Sequence, residues 1–129
     1  RNTTLENCTF TNCSSYAVRF EDVAGELNLI GNTADKAAGV LTINTVGNNY
    51  STTNIQTDAT IRDNTATGMT CGNGNVFMTV YDNARKSGKS TYIITGNSCS
   101  YTQSFDKPLN GFRIKSTYGP SVAEFIENQ

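Results

Sequence analysis

Apolar and polar residues alternate along this chain in short bursts, and the bursts recur. In each, an apolar anchor is followed three positions later by Asn: Leu29-Ile30-Gly31-Asn32, Ile61-Arg62-Asp63-Asn64, Ile94-Thr95-Gly96-Asn97 and Phe125-Ile126-Glu127-Asn128. Phe10-Thr11-Asn12-Cys13 has the same spacing, with Cys in place of Asn. The markers at 13, 32, 64, 97 and 128 lie 19, 32, 33 and 31 residues apart. Two positions before each anchor sits another small or apolar residue (Cys8, Leu27, Ala59, Tyr92, Ala123), the period of two of a strand with one buried face. A small residue follows two positions after the marker at Ser15, Ala34, Ala66 and Cys99. A second apolar strand comes next, at 17–20, 39–43, 75–80 and 111–114. Each repeat therefore predicts a strand, a bend at the marker, a strand and a longer polar excursion, the excursions falling at 46–57, 83–90 and 117–121. Residues 33–38 leave room for one helical turn at most.

Repeats of this length bury their apolar faces by stacking on one another. The expected fold is all-β: one domain over residues 1–129, a parallel β-helix solenoid of about four coils with equivalent strands ~4.8 Å apart. Cys13, Asn32, Asn64, Asn97 and Asn128 then stack as a structural ladder inside the bend. Asn suits such a corner because its amide donates and accepts at once. It also tolerates left-handed backbone angles.

The segment Leu29-Ile-Gly-Asn32-Thr-Ala34-Asp-Lys-Ala37-Ala38-Gly39-Val40-Leu41 resembles the polymorphic outer-membrane protein repeat, an apolar-x-x-Asn element followed by Gly-Gly-Ala-Ile. Asn75-Val76-Phe77 and Asn110-Gly111-Phe112 echo the glycine-rich half. The resemblance implies a right-handed β-helix at the cell surface, with an adhesin-like role. Asn110-Gly111-Phe112-Arg113-Ile114-Lys115-Ser116 is similar to the Arg-Ile-Lys segment of polygalacturonases, which are also right-handed β-helices. In that family the Arg and Lys bind a sugar carboxylate, so Arg113 and Lys115 are implied glycan contacts here. The loop aromatics Tyr50 and Tyr101 join them as candidates. That family's paired-Asp and Gly-His-Gly motifs are both missing from this sequence.

Composition narrows the chemistry. A net charge of −1 and 16% charged residues argue against nucleic acid as a partner. No apolar run approaches the ~18 residues of a membrane span. The chain has no His, which removes Ser/His/Asp and Cys/His catalysis within it, and no CxxC metal pair. The carboxylates Glu21, Asp22, Asp35, Asp58, Asp63, Asp82 and Asp106 are scattered and read as solvated turn residues. Asn83-Ala-Arg-Lys-Ser-Gly88-Lys89-Ser90 looks like a phosphate loop, but a strand follows it where that motif needs a helix. Neither an enzyme nor a cofactor is expected.

Four cysteines make an even number. Cys8 with Cys13, and Cys71 with Cys99, are the candidate disulfides; the alternative is thiols filling inward slots. Sequons occur at Asn2, Asn7, Asn12 and Asn49, with Asn12 expected to be occluded by its bend. Sequons and paired cysteines together suggest an extracellular or cell-surface protein. Three functions remain: a structural protein stacking end to end, an adhesin segment binding glycan or protein through its loops, or a fragment of a carbohydrate-active enzyme. The first is favoured, because strands near both ends present open edges. Leu5, Cys8 and Phe10 would meet Val122, Ala123, Phe125 and Asn128 of another copy, or of an adjoining domain, the chain expecting a further coil above its final motif.

Overall fold

The computed structural model describes residues 2–21, 25–37, 39–44, 56–69, 78–82, 89–101, 112–116 and 121–129. The strands are β1 (Asn2–Glu6), β2 (Thr9–Thr11), β3 (Tyr16–Glu21), β4 (Gly25–Ile30), β5 (Thr33–Asp35), β6 (Gly39–Asn44), β7 (Thr57–Arg62), β8 (Thr65–Met69), β9 (Met78–Asp82), β10 (Ser90–Thr95), β11 (Ser98–Tyr101), β12 (Phe112–Ser116) and β13 (Ser121–Ile126). Among the described residues there is no helix, and residues 33–35, expected to turn helically at most, are β5. The protein is all-β, and every strand pair is parallel.

The strands sort into three sheets, ordered β1-β4-β7-β10-β13, β11-β8-β5-β2 and β12-β9-β6-β3. Each repeat thus gives one strand to each sheet, one more per repeat than the alternation alone predicts. The additional strands are short and built from small or hydroxylated residues, such as Thr33-Ala34-Asp35 and Thr65-Ala66-Thr67. β2 and β5 carry a single inward side chain each, and β8 has Ala66 and Met69 three positions apart, so no period of two stands out. The polar excursions also close one residue sooner than expected, since Thr57, Ser90 and Ser121 open β7, β10 and β13.

In the first sheet, the column Leu5, Leu29, Ile61, Ile94, Phe125 lies in register, and so does Thr3, Leu27, Ala59, Tyr92, Ala123. Their middle members are buried and join Ala34, Ala66, Met78 and Val80 in one core. Intervening residues such as Glu26, Asp58 and Arg62 face outward and are exposed. Parallel pairing in identical register keeps like residues stacked, so each column repeats the chemistry of one position. In the third sheet, the Tyr16 hydroxyl lies 2.7 Å from Thr79 Oγ1 on β9. Tyr16 reaches past β6, where its register partner is Gly39.

Candidate functional site

The bend between the first and second sheets holds the most ordered polar structure described in the molecule. Asn32, Asn64 and Asn97 are buried there at consecutive levels. Each Nδ2 donates twice. One bond goes back one repeat to a strand carbonyl: Asn32 to Leu5 O (3.0 Å), Asn64 to Leu29 O (3.0 Å), Asn97 to Ile61 O (2.9 Å) and Asn128 to Ile94 O (2.8 Å). The other goes forward to the next Oδ1: Asn32 to Asn64 (3.0 Å), Asn64 to Asn97 (2.9 Å) and Asn97 to Asn128 (2.9 Å). Those same Oδ1 atoms accept a second bond from the preceding backbone N–H, Asn32, Asn64 and Asn97 donating in turn at 3.0, 2.9 and 3.0 Å. The amides of Asn64 and Asn97 therefore use both hydrogens and accept twice, which makes their burial affordable.

The first rung differs from expectation. Cys8, not Cys13, stands at the level of Asn32: its N–H donates to Asn32 Oδ1 at 3.0 Å, and the neighbouring Thr9 pairs with Thr33. Cys13 falls five positions later, at the level of Ala37, and packs against the core. Both Leu5-x-x-Cys8 and Phe10-x-x-Cys13 satisfy the apolar-x-x-marker spacing, so spacing alone cannot choose between them. The rung interval is 24 residues rather than 19, closer to the later repeats, and that interval is the signal that selects Cys8.

The left-handed backbone also sits one place from where Asn's tolerance suggested. Asn7, Gly31, Asp63, Gly96 and Glu127, each just before a rung, have φ of 53°, 63°, 56°, 66° and 53°. A second left-handed column, Asn12, Lys36 and Gly68, turns the chain from the second sheet toward the third. Side chain and glycine alternate in the first column. A Cβ on Gly31 would lie 2.6 Å from Asn7 Oδ1, and one on Gly96 would lie 2.5 Å from Asp63 Oδ1. Each non-glycine residue leans over the glycine of the following repeat.

β13 and Asn128 form the last level of this network. Phe125 occupies the column of Leu29, Ile61 and Ile94, which are 3%, 0% and 1% exposed, yet it is 49% exposed. The backbone N–H of Glu127, the N–H of Asn128 and the second Nδ2 hydrogen of Asn128 correspond to donors that are bonded at the rungs of Asn32, Asn64 and Asn97. Among the described residues none of these three is given an acceptor. Of the residues expected at an assembly surface, Leu5 and Phe10 are half-buried on β1 and β2, while Ala123, Phe125 and Asn128 line the inward side of β13. Val122 is placed differently: its register partner is Thr91, and it is exposed on the outward face of β13 with Ile126.

The cysteine pairing of the first repeat is not formed. Cys8 and Cys13 are thiols, whose S–H groups donate to Glu6 O at 3.4 Å and Thr11 O at 3.8 Å. Cys99 is half-buried on β11, and its candidate partner Cys71 lies outside the described residues. Asn2, Asn7 and Asn12 are exposed, so Asn12 is not occluded by its bend; Asn49 and Tyr50 lie outside the described residues. Arg113 is half-buried on β12, level with Thr79; Tyr101 and Lys115 are placed on β11 and β12 by backbone alone. Among the described residues no group of three or more His, Cys, Asp or Glu side chains converges as a metal site, and no helix is long and apolar enough to cross a membrane. No family model matches the chain, and no match is found among curated proteins or solved structures.

Proposed function

We propose that the three parallel sheets close into a right-handed β-helix, and that the chain is a structural segment of an extracellular or cell-surface protein whose β-helix stacks end to end. The role is that of a stalk or filament element, not an enzyme. The observation that carries this reading is the Asn ladder, which bonds each rung to the repeat before it and the repeat after it. β1 and β13 are the edge strands of the first sheet. Such an edge is a template for another strand. The regular order of the three sheets supports a solenoid, since each sheet takes its strands from successive repeats. The likeness to the polymorphic outer-membrane repeat supports the surface location.

The test is a chain carrying a second copy of residues 66–98 after Gln129, whose added strand falls in register over β13. Its urea midpoint is expected to rise, and β13 amides not bonded to β10 to exchange more slowly with solvent. An unchanged midpoint together with unchanged β13 exchange would reject extension at this edge.

A further inference from the structure

Resting on the extracellular reading above, we infer that Asn7 and Asn12 are acceptor sites for N-linked glycans, one at each bend flanking β2. The asparagines of this fold fall into two populations. Asn32, Asn64 and Asn97 are buried, and each Nδ2 commits both hydrogens to the ladder. Asn7 and Asn12 are exposed, and among the described residues neither Nδ2 has an acceptor. Asn7 turns its Oδ1 toward the following repeat, where it lies 2.6 Å from the position of a Cβ on Gly31. Its Nδ2 therefore faces away from that repeat. Attaching a sugar replaces one Nδ2 hydrogen by a bond to carbon. On a rung that would delete a donor inside a buried bend. At Asn7 and Asn12 it removes a hydrogen the fold does not use.

The other half of an acceptor is a hydroxyl two residues on. Thr9 and Ser14 supply it, and both are exposed, with half-buried Cys8 and Cys13 as the middle residues. Asn7 and Asn12 share the left-handed backbone, at φ 53° and 56°, so the two sequons turn the chain in the same way. Thr9 belongs to a column that continues in register as Thr33, Thr65 and Ser98. A hydroxyl thus stands two positions after each of Asn7, Gly31, Asp63 and Gly96, and the bend residue decides whether a sequon results. Asn tolerates the left-handed angle as a matter of backbone sterics. Beside the hydroxyl column, that tolerance makes the bend at Asn7 an acceptor, where Gly31, Asp63 and Gly96 make none.

The donor class is a lipid-linked oligosaccharide pyrophosphate. The Asn Nδ2 bonds to the anomeric carbon of the first sugar while the bond from that carbon to the pyrophosphate oxygen breaks. The lipid pyrophosphate leaves with the electron pair, and the displaced amide proton passes to a base of the transferase.

The test expresses the full chain behind a cleavable leader in a eukaryotic secretory host. Secreted protein is treated with an amidase that releases N-glycans and leaves Asp at each occupied site. Peptide mass spectrometry is expected to find that conversion at both Asn7 and Asn12, and an unmodified Asn at either site overturns the inference. Asn7→Gln and Asn12→Gln are each expected to lose one glycan step in electrophoresis. Asp63→Asn completes a sequon with Thr65 at the same kind of bend, and is expected to gain one step; no gain would show that the bend does not admit a glycan. Ala34→Ser completes a sequon around buried Asn32, and the folded secreted chain is expected to carry nothing there. A glycan on Asn32 in chains that keep their β circular dichroism would show that exposure at the bends does not select the sites. Because the leader supplies export, unoccupied sites refute these acceptors while leaving the structural reading, tested by the extended chain, untouched.

Discussion

Replacing Asn64 by Ala probes the ladder where it is enclosed on both sides. The substitution removes an Oδ1 that accepts from Asn32 N and from Asn32 Nδ2, both at 3.0 Å, and an amide that donates to Leu29 O and Asn97 Oδ1. Asn97 Oδ1 keeps its bond from the backbone N–H of residue 64, so its loss is partial. The two donors on Asn32 lose their acceptor within a residue that is only 3% exposed. Two orphaned buried donors at about 1–3 kcal/mol each place the destabilisation at about 2–6 kcal/mol. That is a large share of the ~5–15 kcal/mol that holds a typical domain folded. Urea unfolding followed by far-UV circular dichroism reads it as a lower midpoint with an unchanged slope. Two companions sharpen the result. Asn64→Asp keeps both acceptors but loses both donors and faces Asn97 Oδ1, so at neutral pH it is expected to be at least as damaging. Asn128→Ala removes the same groups at the half-exposed end, where water can replace them, and is expected to cost no more than about 1.5 kcal/mol. If Asn64→Ala costs under ~1 kcal/mol, or no more than Asn128→Ala, the ladder is not what makes the bend stable.

Two further outcomes follow from the columns beside the rung. Gly96→Ala forces a Cβ onto a left-handed backbone and against Asp63 Oδ1, with an expected loss of about 1–2 kcal/mol; in a double-mutant cycle with Asp63→Ala at least ~0.5 kcal/mol of it should be recovered, and strict additivity would show that the two residues do not touch. Cys8→Asn supplies an amide where the ladder lacks its first member, adding a donor toward Asn32 Oδ1, and is expected to stabilise by about 0.5–1.5 kcal/mol; a lower urea midpoint would mean that the Cys8 site has no room for the amide.

The class of fold could be read from the chain because alternation and spacing act at every repeat. Leu27 and Leu29, Ala59 and Ile61, Tyr92 and Ile94 each mark a half-buried strand, and their offsets bring them into register. What escaped the reading is local geometry. The second-sheet strands have too few apolar positions to announce themselves. The left-handed residue precedes Asn instead of being Asn, because the side chain that bonds across repeats needs ordinary backbone angles at its own position and the turn is made just before it. Asp63 and Glu127 in that role give no compositional hint, whereas Gly31 and Gly96 do. Cys8 was hidden by Cys13, which repeats its spacing five residues on.

The ladder has one more consequence, for how such a chain changes length over generations. Every interior Asn makes the same bonds to the repeat before it and the repeat after it, whichever those repeats are. From rung to second bend the distance is the same in the first three repeats, with Cys8, Asn32 and Asn64 each four positions before Asn12, Lys36 and Gly68; in the fourth the register shifts, Cys99 pairing with Ala66 and Tyr101 with Met69, so that stretch is one residue shorter while the rung at Asn97 keeps its bonds. A single residue inserted between Leu29, Ile61 or Ile94 and the Asn three positions later would break the bonding at two levels at once, while loss or duplication of one whole repeat would leave each remaining amide with an equivalent neighbour. Heritable variation in this molecule is therefore quantised around the rungs: there it proceeds by entire repeats, and smaller changes, such as the one-residue difference in β11, fall between one rung and the next.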